Sequence, residues 1–237
     1  MQAIILAAGQ GSRLRPLTQE IPKCLVEVGG KSILARTLEA LMENGVHDVV
    51  FTTGYREEKI RAFVAATYPA LRPLYIKNDR YQETNYIYSL WLARAHIIED
   101  VIFAFGDWIY EKTLIKKAVD APYTGILVSH QFKPPQKDFK ARLENGFVKE
   151  IANNIDEAHA IGCVSLYKVL LADWQKWMAC VDDFIREGKT TSQAEDALNT
   201  ILHTHMMRPI FFENEGAIEI DDLNDFKRAE YLVTHLT

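Results

Sequence analysis

Short, wholly apolar runs alternate along this chain with stretches whose apolar residues recur every three or four positions. Gln2–Ala8, apolar from Ala3 onward and of strand length, reads as a buried strand, and Gly9 ends it. Ile33–Asn44 has helical spacing and stops at Gly45. Val49–Thr53 predicts a strand, Glu57–Ala66 a helix, Leu74–Lys77 a short strand, Tyr86–His96 a helix and Val101–Phe105 another buried strand. Strands that are apolar on both faces and alternate with helices predict an α/β fold with a doubly wound, mostly parallel sheet. Such sheets take ligands at the carboxyl ends of their strands.

The second half changes character. Gly125–His130 is strand-like, and the residues around Pro134 and Pro135 form a loop. Lys140–Leu143 and Phe147–Ile151 flank Glu144-Asn145-Gly146, and Asn-Gly between apolar runs predicts a hairpin. Ile161–Tyr167 follows as a strand, Leu170–Arg186 and Ser192–His203 as helices, Met207–Phe212 as a strand and Leu223–Thr234 as a closing helix. Hairpin and helices, about residues 130–205, are expected to form a small lid over the sheet. No linker-like segment divides the chain, so residues 1–237 read as one domain.

Composition narrows the function. A hydrophobic fraction of 48% is enough for a sizeable core, and a formal net charge of -5 argues against a nucleic-acid surface. No run of about 20 apolar residues occurs, so no membrane insertion is expected. The apolar start opens directly into a Gly-rich loop and reads as a strand, not a signal peptide. Cys24, Cys163 and Cys180 form no CxxC pair and suit a reducing cytoplasm. His203 and His205 have no accompanying zinc-ligand set.

Against this acidic background, the cations that follow the first strand stand out. Leu6, Ala7, Ala8, Gly9, Gly11, Ser12 and Arg13 form a small-residue loop, and Lys23 follows. Small side chains let backbone N–H groups approach phosphate oxygens, and fixed cations offset the anionic chain. A Walker loop is absent, and a dinucleotide fingerprint would need glycine at Leu14. A second site is Gly106-Asp107, directly after an apolar strand, where a carboxylate suits Mg2+ opposite the phosphate loop. Its expected partner lies in Glu219-Ile220-Asp221-Asp222. In extended backbone Glu219 and Asp221 point the same way, while Asp222 reads as the N-cap of the last helix.

The string Leu6-Ala-Ala-Gly-x-Gly-Ser-Arg-Leu-x-Pro-Leu-Thr18, with Pro22-Lys-Cys-Leu25 after it, resembles the signature of the sugar-phosphate and choline-phosphate nucleotidylyltransferase superfamily. Asn78-x6-Asn85, Gly106-Asp107, Val148-Lys-Glu-Ile151, Ala160-Ile-Gly162 and Glu219-Ile-Asp221 follow in the family's order, and Thr84–Leu90 is similar to its bacterial choline-phosphate and phosphonate cytidylyltransferase branch. The resemblance implies a Rossmann-like fold and Mg2+-dependent transfer of CMP from CTP to a small phosphate or phosphonate, such as phosphocholine or aminoethylphosphonate, with release of pyrophosphate. It implies metal binding by Asp107 and Asp221, and a phosphate contact from Lys23. Asn78, Asn85 and Gly106 belong to the nucleotide pocket it implies. Arg13, with the backbone of residues 8–12, is expected to hold the leaving pyrophosphate.

For the acceptor, the aromatic candidates are Trp108, Tyr110 and Tyr167, with Tyr86 and Tyr88 nearby, and Asp196 and Glu219 are the acidic ones. Ala152-Asn153-Asn154 stands where many relatives place a lysine, leaving a second phosphate-binding lysine open, and the short His130–Lys140 segment is where acceptor choice often resides. A sugar-1-phosphate nucleotidylyltransferase using UTP, dTTP or GTP, or a non-catalytic nucleotide-binding relative, are the alternatives. A homodimer is left open.

Overall fold

The structure, a computed structural model, describes residues 1–235. Strand β1 (Gln2–Ala7) lies at the centre of a nine-stranded mixed sheet. On one side it pairs in parallel with β4 (Asp48–Thr53), which pairs in parallel with β5 (Arg72–Lys77); the segment that links β1 to β4 in sequence forms a separate small ribbon, β2 (Glu27–Val28) and β3 (Lys31–Ser32). On its other side β1 pairs in parallel with β6 (Val101–Phe105). The chain thus moves outward to β5 and returns across β1, which makes the carboxyl ends of β1 and β6 a topological switch point.

The remaining strands extend the sheet in mixed sense. β7 (Trp108–Tyr110) leaves it at once, and β8 (Gly125–Ser129), β9 (Lys140–Glu144), β10 (Phe147–Ala152) and β11 (Ala160–Val169) follow. β11 pairs antiparallel with β6, β8 and β9, and β10 closes the predicted hairpin with β9. β12 (Arg208–Phe211) adds in parallel to β8. Residues 130–205 are therefore woven into the main sheet through β11, and they also supply cavity wall.

Alternation along β1 divides the core. Ala3, Ile5 and Ala7 join one apolar cluster with Phe51, Ile102 and the helix α1 (Ile33–Glu43); Ile4 and Leu6 join another with Val50, Phe103 and Trp177. Each fully buried Ile contributes about 1.5–3 kcal/mol. α1 starts where Ser32 Oγ accepts from Ala35 N at 3.2 Å, buries Leu34, Leu38 and Leu41, and ends before Gly45, whose φ is +78°. α2 (Glu57–Thr67) and α3 (Tyr86–Ala93) follow the expected pattern, α3 tightening to a 3-10 turn over Arg94–His96.

The ribbon β2–β3, strand β7, helix α4 (Lys112–Asp120) and strand β13 (Ala217–Glu219) are not among the expected elements. Helix α4 buries Leu114, Ile115 and Ala118, a one-sided stripe visible in the sequence. β13 pairs antiparallel with β7, a two-stranded ribbon too short for a periodicity signal. α5 (Leu171–Arg186) matches its expected span, but the Ser192–His203 helix is shorter: α6 covers Ala194–Asn199. There Thr200 Oγ1 donates to Ala197 O, an alternative to continuing the helix, and a 3-10 turn follows at Leu202–Thr204. α7 (Leu223–His235) closes the chain. Among the described residues, no helix is long and apolar enough to cross a membrane.

Candidate active site

The Gly-rich loop is fixed from below. Leu14 is fully buried, and Thr18 Oγ1 donates to Gly11 O at 2.7 Å. Gly11 has φ +63°, where L side chains are strained, and a Cβ there would lie 3.0 Å from Lys23 Cβ. This close approach sets Lys23 beside the loop. Gly106 performs a similar service across the switch point. Its N–H donates to Leu6 O at 2.8 Å, and an added Cβ would meet that oxygen at 2.7 Å. Only glycine lets β6 leave the sheet so close to β1, and Asp107 emerges directly above.

The ribbon of β7 and β13 delivers the distant carboxylates. Glu219 pairs with Trp108, and Ile220 N donates to Asp107 O at 2.9 Å. Carboxylate oxygens of Asp107, Glu219 and Asp221 consequently lie within 4.8 Å of one another. Asp222 caps α7 as expected: its Oδ1 accepts from Asn224 N and Asp225 N at 2.8 and 3.0 Å.

Cations converge on this cluster. Lys23 Nζ lies 2.7 Å from Asp107 Oδ2 and 2.9 Å from Asp221 Oδ1; Arg13 reaches Asp221 Oδ1 at 3.1 Å. Lys137 binds Asp221 Oδ2 and Asp225 Oδ2, both at 2.9 Å. Burial alone would raise the Asp221 carboxyl, but Lys23 and Lys137 reverse this and hold it at about 2. Burial would lower the Lys23 ammonium, yet Asp107 and Asp221 keep it above its ordinary value. Glu219 forms no ion pair among the described residues, and Lys23 opposes its shift only weakly. Burial first, then Asp107, Asp221 and Asp138, push it up to about 9.

A divalent cation fits these residues. The donors are all carboxylate oxygens, which suit a hard ion such as Mg2+. Asp107 Oδ1 is buried with no hydrogen-bond partner among the described residues, and Glu219 is short of positive charge.

The cluster forms one wall of a cavity of about 510 Å³. Of the residues singled out from sequence, Gly9, Gly11, Ser12, Arg13, Lys23, Asn85, Asp107, Trp108, Glu219 and Asp221 line it. A smaller adjoining cavity of about 210 Å³ is lined by Leu6, Ala8, Gly9, Asn78, Asn85 and Asp107, among others. Ala7 and Gly106 lie beneath this surface, in the floor. The Asn78 amide donates to Thr84 Oγ1 and Ser89 Oγ at 3.1 and 3.0 Å and accepts from Arg80 N at 2.9 Å, so it organises the wall of the smaller cavity with its side-chain hydrogens already committed. Asn85 is the N-cap of α3, accepting from Tyr86 N at 2.7 Å.

Three expected acceptor residues need correction. Tyr110 is 3% exposed; its hydroxyl donates to Ser165 O at 2.9 Å and accepts from Phe105 N at 3.1 Å. Tyr167 is fully buried, stacks on Phe103 and donates to Glu195 Oε1 at 2.7 Å. Both tyrosines hold the fold and line neither cavity. Asp196 Oδ2 accepts from Gln193 N at 2.9 Å and caps α6. Its neighbour Glu195 is the inward acid, fully buried and accepting from the hydroxyls of Tyr86 and Tyr167.

Sequence reasoning missed Lys137, Asp138, Phe139 and Phe105, all on the larger cavity. The first three come from the Pro-rich segment before β9. Their one signal was a Lys-Asp-Phe string in a stretch already associated with acceptor choice.

Comparison with known proteins gives the family and the fold. Residues 2–135 match the family described as nucleotidyl transferase. The choline-phosphate cytidylyltransferase of Streptococcus pneumoniae (strain ATCC BAA-255 / R6) is 34% identical over 255 residues, covering 98% of each chain. The CMP-5'-(3-aminopropyl)phosphonate synthase of Streptomyces rubellomurinus (strain ATCC 31215) is 33% identical over 241 residues, covering 98% of this chain and 38% of that one. Some relatives are larger proteins: the chain spans 36% and 38% of the length of two of them and 98% of the pneumococcal one. Among solved structures, CTP:phosphocholine cytidylyltransferase from Streptococcus pneumoniae superposes with a TM-score of 0.84 at 22% identity, covering 98% of both chains, which supports the fold.

Proposed function

The chain belongs to the nucleotidyl transferase family of enzymes, and from that premise we propose that it transfers CMP from CTP to a small phosphate or phosphonate acceptor. The observation that carries this reading is the meeting of Lys23, Asp107 and Asp221 beside the Gly-rich loop at the switch point. The names of the pneumococcal and Streptomyces relatives support the choice of cytidine.

In this reading the triphosphate lies along residues 9–13, where backbone N–H groups and Arg13 hold the pyrophosphate portion. The base enters the smaller cavity beside Asn78 and Asn85. An acceptor oxygen attacks the α-phosphorus; the new P–O bond forms as the bond to the β-phosphate oxygen breaks, and pyrophosphate leaves. Phosphate and phosphonate oxygens are already ionised near pH 7, so no general base is required. Positioning and charge stabilisation then account for the rate.

Lys23 exchanges a carboxylate for the α-phosphate, so its ammonium keeps an anionic partner throughout. Lys137, paired with Asp221 and Asp225, supplies a second cation at the same wall, a role that Ala152-Asn153-Asn154 leaves vacant in the hairpin. Asp107 and Asp221, with Glu219 beside them, would hold Mg2+, which when bound supplies charge neutralisation at the phosphate oxygens. Residues 137–139, Tyr86 and Trp108 form the acceptor side of the cavity. Free Cys24, Cys163 and Cys180 accord with a cytoplasmic enzyme.

Pyrophosphate release tests the reading. CTP, UTP, ATP, GTP and dTTP are each combined with phosphocholine, phosphoethanolamine, 2-aminoethylphosphonate and sugar-1-phosphates in the presence of Mg2+. CTP-dependent release with an amino-phosphate or phosphonate is the expected result. Release confined to sugar-1-phosphates moves the enzyme to the sugar nucleotidylyltransferases.

A further inference from the structure

Asp138 has no ion pair and no side-chain hydrogen bond among the described residues. Asp138 is 7% exposed and lines the cavity. Its Oδ1 is buried without a hydrogen-bond partner among the described residues. Cations are close by but committed elsewhere. Lys137 binds Asp221 and Asp225, while Lys140 donates to the backbone carbonyls of Gln136, Asp138 and Asn153.

A buried carboxylate with no donor is costly. The fold does not require it. The local turn closes through backbone, Asp138 N donating to Pro135 O at 3.0 Å, and asparagine would fit the same space without the charge. The carboxylate is therefore matched to something that enters the cavity.

That partner is positive, and it brings hydrogens. A primary ammonium offers three N–H donors to unfilled carboxylate lone pairs. A trimethylammonium offers none and depends on free aromatic faces. Of the four rings lining the cavity, Trp108 stacks on Tyr110 at 5.9 Å and 9° and Tyr86 packs edge-on against Phe105 at 5.1 Å, so Phe139 alone is outside such a pair among the described residues, and one ring makes no cage. Asp138 and Lys23 share one cavity, so a short molecule with an ammonium at one end and a phosphorus oxyanion at the other can meet both.

We propose that Asp138 receives the ammonium of the acceptor, and that the acceptor is a primary aminoalkyl phosphate or phosphonate. This assignment rests on the cytidylyl-transfer reading and refines it.

The test compares kcat/KM for 2-aminoethylphosphonate and ethylphosphonate in the wild type and in Asp138→Asn. The wild type should favour the amino compound. In the variant that preference should fall by about 10-fold or more, the scale of removing one partner of a buried charge pair. The change should lie in the acceptor KM and leave the KM for CTP within about twofold. Phosphoethanolamine should follow 2-aminoethylphosphonate. A wild-type preference for phosphocholine over phosphoethanolamine overturns the proposal, as does an equal loss for both phosphonates. If no nucleotide supports turnover, the cytidylyl reading fails, and titration calorimetry of the two phosphonates decides the role of Asp138. Tighter wild-type binding of the amino compound, lost in Asp138→Asn, retains it; equal binding removes it.

Discussion

Lys23 donates to Asp107 Oδ2 at 2.7 Å although 84 residues separate them in the chain. The same ammonium reaches Asp221 Oδ1 at 2.9 Å, 198 residues away. One cation therefore holds together two carboxylates that would otherwise repel each other. It stands where the proposed chemistry needs positive charge.

Lys23→Ala is expected to lower turnover by at least about 100-fold, the scale of one lost transition-state contact. It should also leave Asp107 without its ammonium partner and facing Asp221, which keeps only Arg13 and Lys137. The metal-free variant should then melt below the wild type, with much of the difference recovered on adding Mg2+. Thermal melts with and without Mg2+ check this; a variant that melts like the wild type in both would remove the neutralising role.

Asp221→Asn should abolish transfer and destabilise the metal-free protein. The native carboxyl titrates at about 2, below its ordinary 3.8. A depressed pKa stabilises the fold above the unfolded value and loses that contribution as pH falls toward 2. The variant should accordingly be less stable by about 2 kcal/mol at pH 7. Urea melts should find the gap narrowing below about pH 4. A gap that does not change with pH contradicts the ion-pair account.

Gly106→Ala forces a Cβ to within 2.7 Å of Leu6 O. Relief requires β6 to move away from β1, and Asp107 moves with it. Overpacking of this kind costs about 1–3 kcal/mol. The variant should lose stability, and kcat should fall because the carboxylate is displaced. Wild-type values for both Tm and kcat would mean that the close approach is unimportant.

Asp138→Asn should do the opposite to stability. Burial, reinforced by Asp221 and Asp225 against the pull of Lys137 and Lys140, raises the Asp138 carboxyl to about 6. With the folded pKa above the unfolded one, the wild type loses stability as pH rises from about 4 past 6. The variant should be more stable at pH 8, by about 1–3 kcal/mol, and equal near pH 4. Equal stability at pH 8 would show that the charge is tolerated without cost.

Much of the site was legible because its signals are local. The apolar run before Gly9 and the Gly106-Asp107 step are strand ends, and a doubly wound sheet places strand ends at one edge. Glu219 and Asp221 were legible as a same-face pair in extended backbone. What stayed hidden depends on contacts between segments far apart in sequence. The aromatic rings of Tyr110 and Tyr167 suit a binding cage as well as they suit a core, and only their hydroxyl partners Ser165 and Glu195 decide between these. Glu195 and Asp196 are adjacent acids at a helix start, where acids are common; the fold turns the first inward and leaves the second as a cap. Lys137 and Asp138 sit in a loop without periodicity, so no pattern could aim them.

The β7–β13 ribbon has a consequence for how the protein is made. It joins Asp107 to Glu219 and Asp221, so during synthesis the Gly-rich loop, Lys23 and Asp107 all leave the ribosome long before their partners exist. An unfinished chain can build most of the sheet, yet its proposed triphosphate cradle lacks two of its three clustered carboxylates. The carboxylate cluster therefore comes together only after the β13 segment has been translated, however much of the sheet is already in place.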